Sequence, residues 1–106
     1  MIQPEKIQQI VDKIVEGYQP EKIILFGSHA RGDAHKDSDL DLIIIKQTNV
    51  PWFHRGWEVR KLLLKDLVPM DLKIYTPDEF KKYESSRYSF VQSIINESVI
   101  LYERKG

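Results

Sequence analysis

The chain has 106 residues, 42% of them apolar, which suits one domain spanning residues 1–106 with a modest core and leaves no room for a second, substrate-binding domain. Lys plus Arg equals Asp plus Glu at 16 each, so the formal net charge is zero, and neither general nucleic-acid binding nor membrane attraction is expected. Cysteine is absent, which excludes disulfides and thiolate chemistry, and His29, His35 and His54 have no zinc-site spacing.

The opening MIQPEKIQQI has the pattern of a helix, not of a signal-peptide core, and the apolar runs fall far short of the ~20 residues that span a bilayer. A cytoplasmic protein is expected. Residues 4 to 16 read as a helix: Pro4 suits a first turn, Ile7, Ile10, Val11 and Ile14 share one face, and Gly17 is a natural stop. Ile23 to Phe26 form a short strand ending at Gly27. Residues 28 to about 32 are a short helix or turn closed by Gly32-Asp33, and AHKDS is a loop. A second strand covers 39 to 46, where Leu40 and then Leu42 to Ile45 suggest burial on both faces.

After the loop QTNVP, a third helical element runs from about Trp52 to Leu67. Phe53, Trp57, Leu64 and Leu67 could share its apolar face, with Leu63 beside it, although Gly56 costs ~1 kcal/mol against alanine inside a helix. Trp52, Phe53 and Trp57 are expected in the core, with Trp52 at the helix start open to an interface role. MDLKIY, 70 to 75, alternates as a strand: Met70, Leu72 and Ile74 on one face, Asp71, Lys73 and Tyr75 on the other. Thr76-Pro77-Asp78-Glu79 is a capping box, with Tyr75 and Phe80 placed as a hydrophobic staple. The last helix should break near Ser85-Ser86 and resume with Phe90, Val91, Ile94 and Ile95 inward, and Tyr83 and Tyr88 are expected to pack at the break. VILYE, 99 to 103, is the last strand. Helices and strands thus alternate along the chain.

Chemistry concentrates in LFGSHARGDAHKDSDLDLIII, residues 25 to 45. Asp39 and Asp41 sit two apart at the mouth of a buried strand and point the same way. Two like charges there repel, and a hard divalent cation would offset the cost; magnesium takes one or two carboxylates with phosphates and waters. If the second and third strands are neighbours, Asp71 joins them, and three acids suit two ions ~3.5–4 Å apart. Gly27-Ser28, between strand and helix, can bring backbone N–H groups and a hydroxyl to a phosphate.

Gly-Ser, ten residues, then Asp-x-Asp resembles the signature of the DNA polymerase β-like nucleotidyltransferase superfamily. GSHARG and SDLDLII are similar to its minimal prokaryotic nucleotidyltransferases, and the likeness covers nearly the whole chain. The resemblance implies an α/β (α+β) fold with a small mixed sheet of about four strands flanked by helices. It implies transfer of AMP from ATP to a hydroxyl. Asp39 and Asp41 would bind both of two Mg2+ ions, or Mn2+ in their place. Asp71 would bind the ion at the attacking hydroxyl, and Gly27 and Ser28 would hold the β- and γ-phosphates. It further implies an antitoxin paired with an all-helical HEPN-type ribonuclease toxin, silenced by AMP on a tyrosine or by binding alone. Transfer to a small molecule would need a further domain or a second copy.

Plainer readings stand beside these. Asp39 and Asp41 could be a solvated strand start, Asp71 a partner of Lys73, and Ser28 a helix cap. Arg31 either reaches a phosphate or braces the loop through a salt bridge. Lys73 meets either triphosphate or an acid. His29, His35 and Lys36 read as loop residues, not as bases.

Overall fold

The computed structural model describes residues 1–105. Helix α1 is Pro4–Tyr18, strand β1 Lys22–Phe26, and the single-turn helix α2 Ser28–Arg31; β2 is Leu40–Ile45. A 3₁₀ turn at Trp52–His54 leads into α3, Arg55–Leu62, and then β3, Met70–Tyr75. Helices α4, Pro77–Glu84, and α5, Phe90–Ile94, precede β4, Val99–Glu103. The four strands form one mixed sheet in the order β3-β2-β1-β4. β1 is antiparallel to both β2 and β4, while β2 and β3 run parallel. This is the alternating α/β order and the small mixed sheet expected from the sequence.

Each face of the sheet carries its own core. On one, Ile23, Leu25, Leu42 and Ile44 pack against Ile10, Val11 and Ile14 of α1 and Val59 of α3. On the other, Ile24, Phe26, Ile43 and Ile45 meet Phe80 of α4 and Val91 of α5. β2 is therefore buried on both sides, as its unbroken apolar run requires, and each fully buried Leu or Ile contributes about 1.5–3 kcal/mol.

The capping box forms as read: the Thr76 hydroxyl accepts from the Glu79 N–H at 3.2 Å, and a Glu79 oxygen accepts from the Thr76 N–H at 2.9 Å. Tyr75 and Phe80 make the staple, with ring centroids 6.2 Å apart. The break at Ser85-Ser86 also forms, and Ser89 caps the resumed helix by accepting from the Gln92 N–H.

Four expectations need correction. Gly17 does not end α1: the helix continues to Tyr18, and Gln19 takes the left-handed conformation, φ 54°. Gly17 instead admits α3, because a Cβ there would lie 2.6 Å from a methyl of Leu62. Second, α3 ends at Leu62, short of Leu67. Third, the face assigned to the core points outward. Trp52 is 75% exposed, Phe53 64%, Trp57 63%, Leu64 69% and Leu67 94%. Val59 and Leu63 face inward with the polar Arg55, a set the apolar periodicity did not select. Fourth, Tyr88 does not pack; it is exposed, at a left-handed residue in the turn between α4 and α5. Among the described residues no helix is long and apolar enough to cross a membrane.

Candidate active site

The sheet brings the three acids together. Parallel pairing sets Asp41 directly beside Asp71, and Asp39 lies just before β2, across the buried Leu40. β1 closes the other side, with Phe26 opposite Asp41. At the end of β1, Gly27 adopts φ 76°, ψ −157°, a conformation open essentially to glycine alone. A Cβ on Gly27 would lie 2.1 Å from Asp41 Oδ2, so the backbone of the Gly-Ser turn and the Asp41 carboxylate are in direct contact. Ser28 is the first residue of α2, whose leading N–H groups have no acceptor within the helix.

The electrostatics are unfavourable as they stand. Burial pushes the Asp41 carboxyl above its ordinary pKa, the charges of Asp71 and Asp39 add to the rise, and His29 and Lys73 oppose it only in part. No hydrogen bond relieves it. Among the described residues no three His, Cys, Asp or Glu side chains converge on a single ion. The donor set nonetheless suits a hard cation: oxygen ligands only, with negative charge that is compensated only in part.

Lys73 takes the acid partner foreseen as one of its options. Its ammonium lies 3.8 Å from Asp71 Oδ2 and 5.0 Å from the centre of the Phe90 ring. Phe90 in turn meets Phe26 edge-on at 5.4 Å. Arg31 braces the loop, 3.3 Å from Asp33 and 3.8 Å from Glu97. His35 and Lys36 are exposed in the loop.

His29 has a role that the sequence did not reveal. Its Nε2 accepts from the Ile2 N–H at 3.0 Å, and its Nδ1 lies 3.1 Å from the Asp39 carbonyl oxygen. A backbone N–H can only donate and a carbonyl can only accept, so Nδ1 carries the proton. The ring ties the start of the chain to the peptide of Asp39. Phe90, expected inward on the last helix, is instead 42% exposed and stands between Phe26 and the Lys73 ammonium. No local signal marks either role, since both depend on contacts between segments distant in sequence.

The chain belongs to the family described as Polymerase beta, Nucleotidyltransferase, which it matches over residues 5–106, and it is a nucleotidyltransferase. It is 31% identical to the Methanocaldococcus jannaschii protein named "Putative protein adenylyltransferase MJ0604", across 96% of this chain and 100% of that one. Three solved structures share the fold. A crystal structure described as "a putative nucleotidyltransferase from Sulfolobus solfataricus" superposes with a TM-score of 0.67 at 19% identity, covering 94% of this chain and 79% of that one. A toxin-antitoxin structure with AMP-PNP gives 0.62 at 19% identity, covering 98% and 76%. A mutant of the MntA-HpeT toxin-antitoxin gives 0.64 at 17% identity, covering 92% and 73%.

Proposed function

We propose that the chain transfers AMP from ATP to a hydroxyl of a partner protein, a tyrosine of an all-helical HEPN-type toxin, and so acts as an antitoxin in the cytoplasm. The observation that carries this reading is the pairing of Asp41 with Asp71 on adjacent parallel strands, with Asp39 beside them and Gly27 against Asp41. The name of the curated relative supports a protein acceptor, and the toxin-antitoxin neighbours support the partner.

In this reading Asp39, Asp41 and Asp71 hold two divalent ions, Mg2+ or in its place Mn2+. When bound, these supply Lewis acidity for the attacking hydroxyl and charge compensation for the departing pyrophosphate. Gly27 and Ser28 admit the β- and γ-phosphates through backbone N–H groups and a hydroxyl. Asp71 accepts the hydroxyl proton or orients it. Lys73, already poised at Asp71, turns to the triphosphate; Arg31 braces the loop through Asp33 or serves as a further phosphate contact. Charge builds on phosphoryl oxygens in the transition state, so these fixed groups act mainly by position and field.

The test is intact mass. The chain is purified with the product of the adjacent gene, and ATP and Mg2+ are added. AMP-sized additions on the partner are expected, and none with Asp39→Asn. A stable complex that gains no mass would instead support inhibition by binding alone, a reading favoured by the exposed apolar side chains of the α3 region.

A further inference from the structure

Trp57 projects from α3 on the side opposite the buried Arg55 and Val59, with exposed Phe53 in the preceding 3₁₀ turn and exposed Leu64 just beyond the helix, and the three are called the stripe. Trp52 and Leu67 extend it at either end. At ~200 Å² for a large side chain, these five expose on the order of 700 Å². That exceeds the ~300–600 Å² of the largest apolar patch on an ordinary monomer. It approaches the ~800 Å² that each partner commits to a standard interface.

The rim of the stripe is mainly basic, with the exposed Glu58 among it. Arg60, Lys61 and Lys65 are exposed, and no ion pair among the described residues includes them. Asp66 is buried between Lys6 and Lys13, and Glu58 lines the cleft beside Tyr18. The whole chain is neutral, so this basic rim is local.

The stripe is also continuous with the catalytic face. Trp52, Phe53 and Gly56 form one wall of a groove of about 650 Å³ that crosses the outer edge of β3 to Lys73 and Phe90. β3 is the edge strand of the sheet, so no further strand covers that side of it among the described residues. Lys73 stands 3.8 Å from Asp71.

We propose that this stripe is the docking surface for the protein that supplies the acceptor hydroxyl, engaged by an apolar patch of that partner with acidic residues at its rim. The partner seats on α3 and sends its acceptor segment through the groove to Asp71. This rests on the partner reading above. The excess of basic charge beside the apolar centre (Arg60, Lys61 and Lys65 against Glu58) favours an acid-rimmed partner over a second copy of this chain, which would set mostly like charges face to face.

The experiment titrates the full chain with the product of the adjacent gene in a calorimeter, in the absence of ATP. Trp57→Glu and Leu64→Glu, both outside the groove, are expected to weaken binding about 30-fold or more. Arg60→Glu combined with Lys61→Glu should weaken it several-fold and reduce its sensitivity to salt. Each variant should keep the far-ultraviolet circular dichroism of the unaltered chain, and Asp39→Asn should bind as the unaltered chain does. Stripe variants that bind undiminished would overturn the proposal. So would absence of any complex, or a dimer of the chain alone that Trp57→Glu splits. Tight, stripe-dependent binding without AMP transfer would uphold the dock and count against the transfer reading. Transfer that persists in fully binding stripe variants would do the reverse.

Discussion

The two ends of β3 treat charge in opposite ways. At its start, Asp71 stands beside Asp41, and burial first, then the Asp71 charge, makes Asp41 harder to ionise, while Lys73 answers Asp71 from 3.8 Å. At its far end, the buried Arg55 grips Glu79 through two hydrogen bonds, at 2.6 and 3.2 Å. The same guanidinium donates to the Val50 and Ile74 carbonyls at 2.8 and 3.3 Å. Arg55 also holds the Glu79 carboxyl below its usual range, and the capping bonds to Thr76 assist. Paired charge at one end fastens helix to strand. Charge only partly answered at the other leaves work for a ligand.

The comparison breaks most visibly if Arg55 is removed. Arg55→Ala removes the fork on Glu79 and the donor of two carbonyls; because Glu79 is partly exposed and keeps its bond from the Thr76 N–H, the cost should be about 3 kcal/mol, the low end for a buried pair. Thermal melts should fall by ~12 °C or more. Arg55→Lys should recover little, since an ammonium cannot form the paired fork. A melt unchanged by Arg55→Ala would remove the contrast altogether.

A second paired site gives a smaller and pH-dependent effect. Hydrogen bonds from Lys13, at 2.7 Å, and from Lys6 hold the buried Asp66 carboxyl below the ordinary range. Asp66→Asn should cost about 2 kcal/mol near neutral pH. Because the folded-state pKa is lowered, this contribution is complete above the unfolded value of about 4. It is lost as pH falls through the lower folded value. Melts of the two proteins should therefore converge in acid; a constant gap would mean that packing, not charge, sets the difference.

The smallest effect has the opposite sign and sharpens the contrast. Asp41→Asn relieves the repulsion with Asp71 and Asp39. In metal-free buffer it should raise the melting temperature by ~2 °C while abolishing transfer. Adding Mg2+ and ATP should stabilise the unaltered chain, by ligand linkage, and not the variant. A variant less stable than its parent without metal would show that Asp41 holds the fold together.

The same division explains what could be read from the sequence. Strand burial, the Thr76–Glu79 cap and the Gly27-Ser28 to Asp39-x-Asp41 spacing are local signals, and the strands and the cap lie where they point. The pairing of β2 with β3 was a condition on the reading, and the parallel register met it. The orientation of α3 was misread because apolar periodicity reports an amphipathic helix without saying which face meets its own core. Arg55, polar and buried, reversed the assignment; its partners Val50, Ile74 and Glu79 come from three other segments. The link from His29 to Ile2 spans 27 residues and left no trace in the local pattern.

That link makes one backbone amide a reporter. The Ile2 N–H reaches the Asp39 peptide through a single imidazole ring. Any ligand that shifts the Asp39 peptide must move the ring or lengthen one of its two hydrogen bonds. The nuclear magnetic resonance of Ile2 would then register events at the acids from a residue that touches none of the ligand.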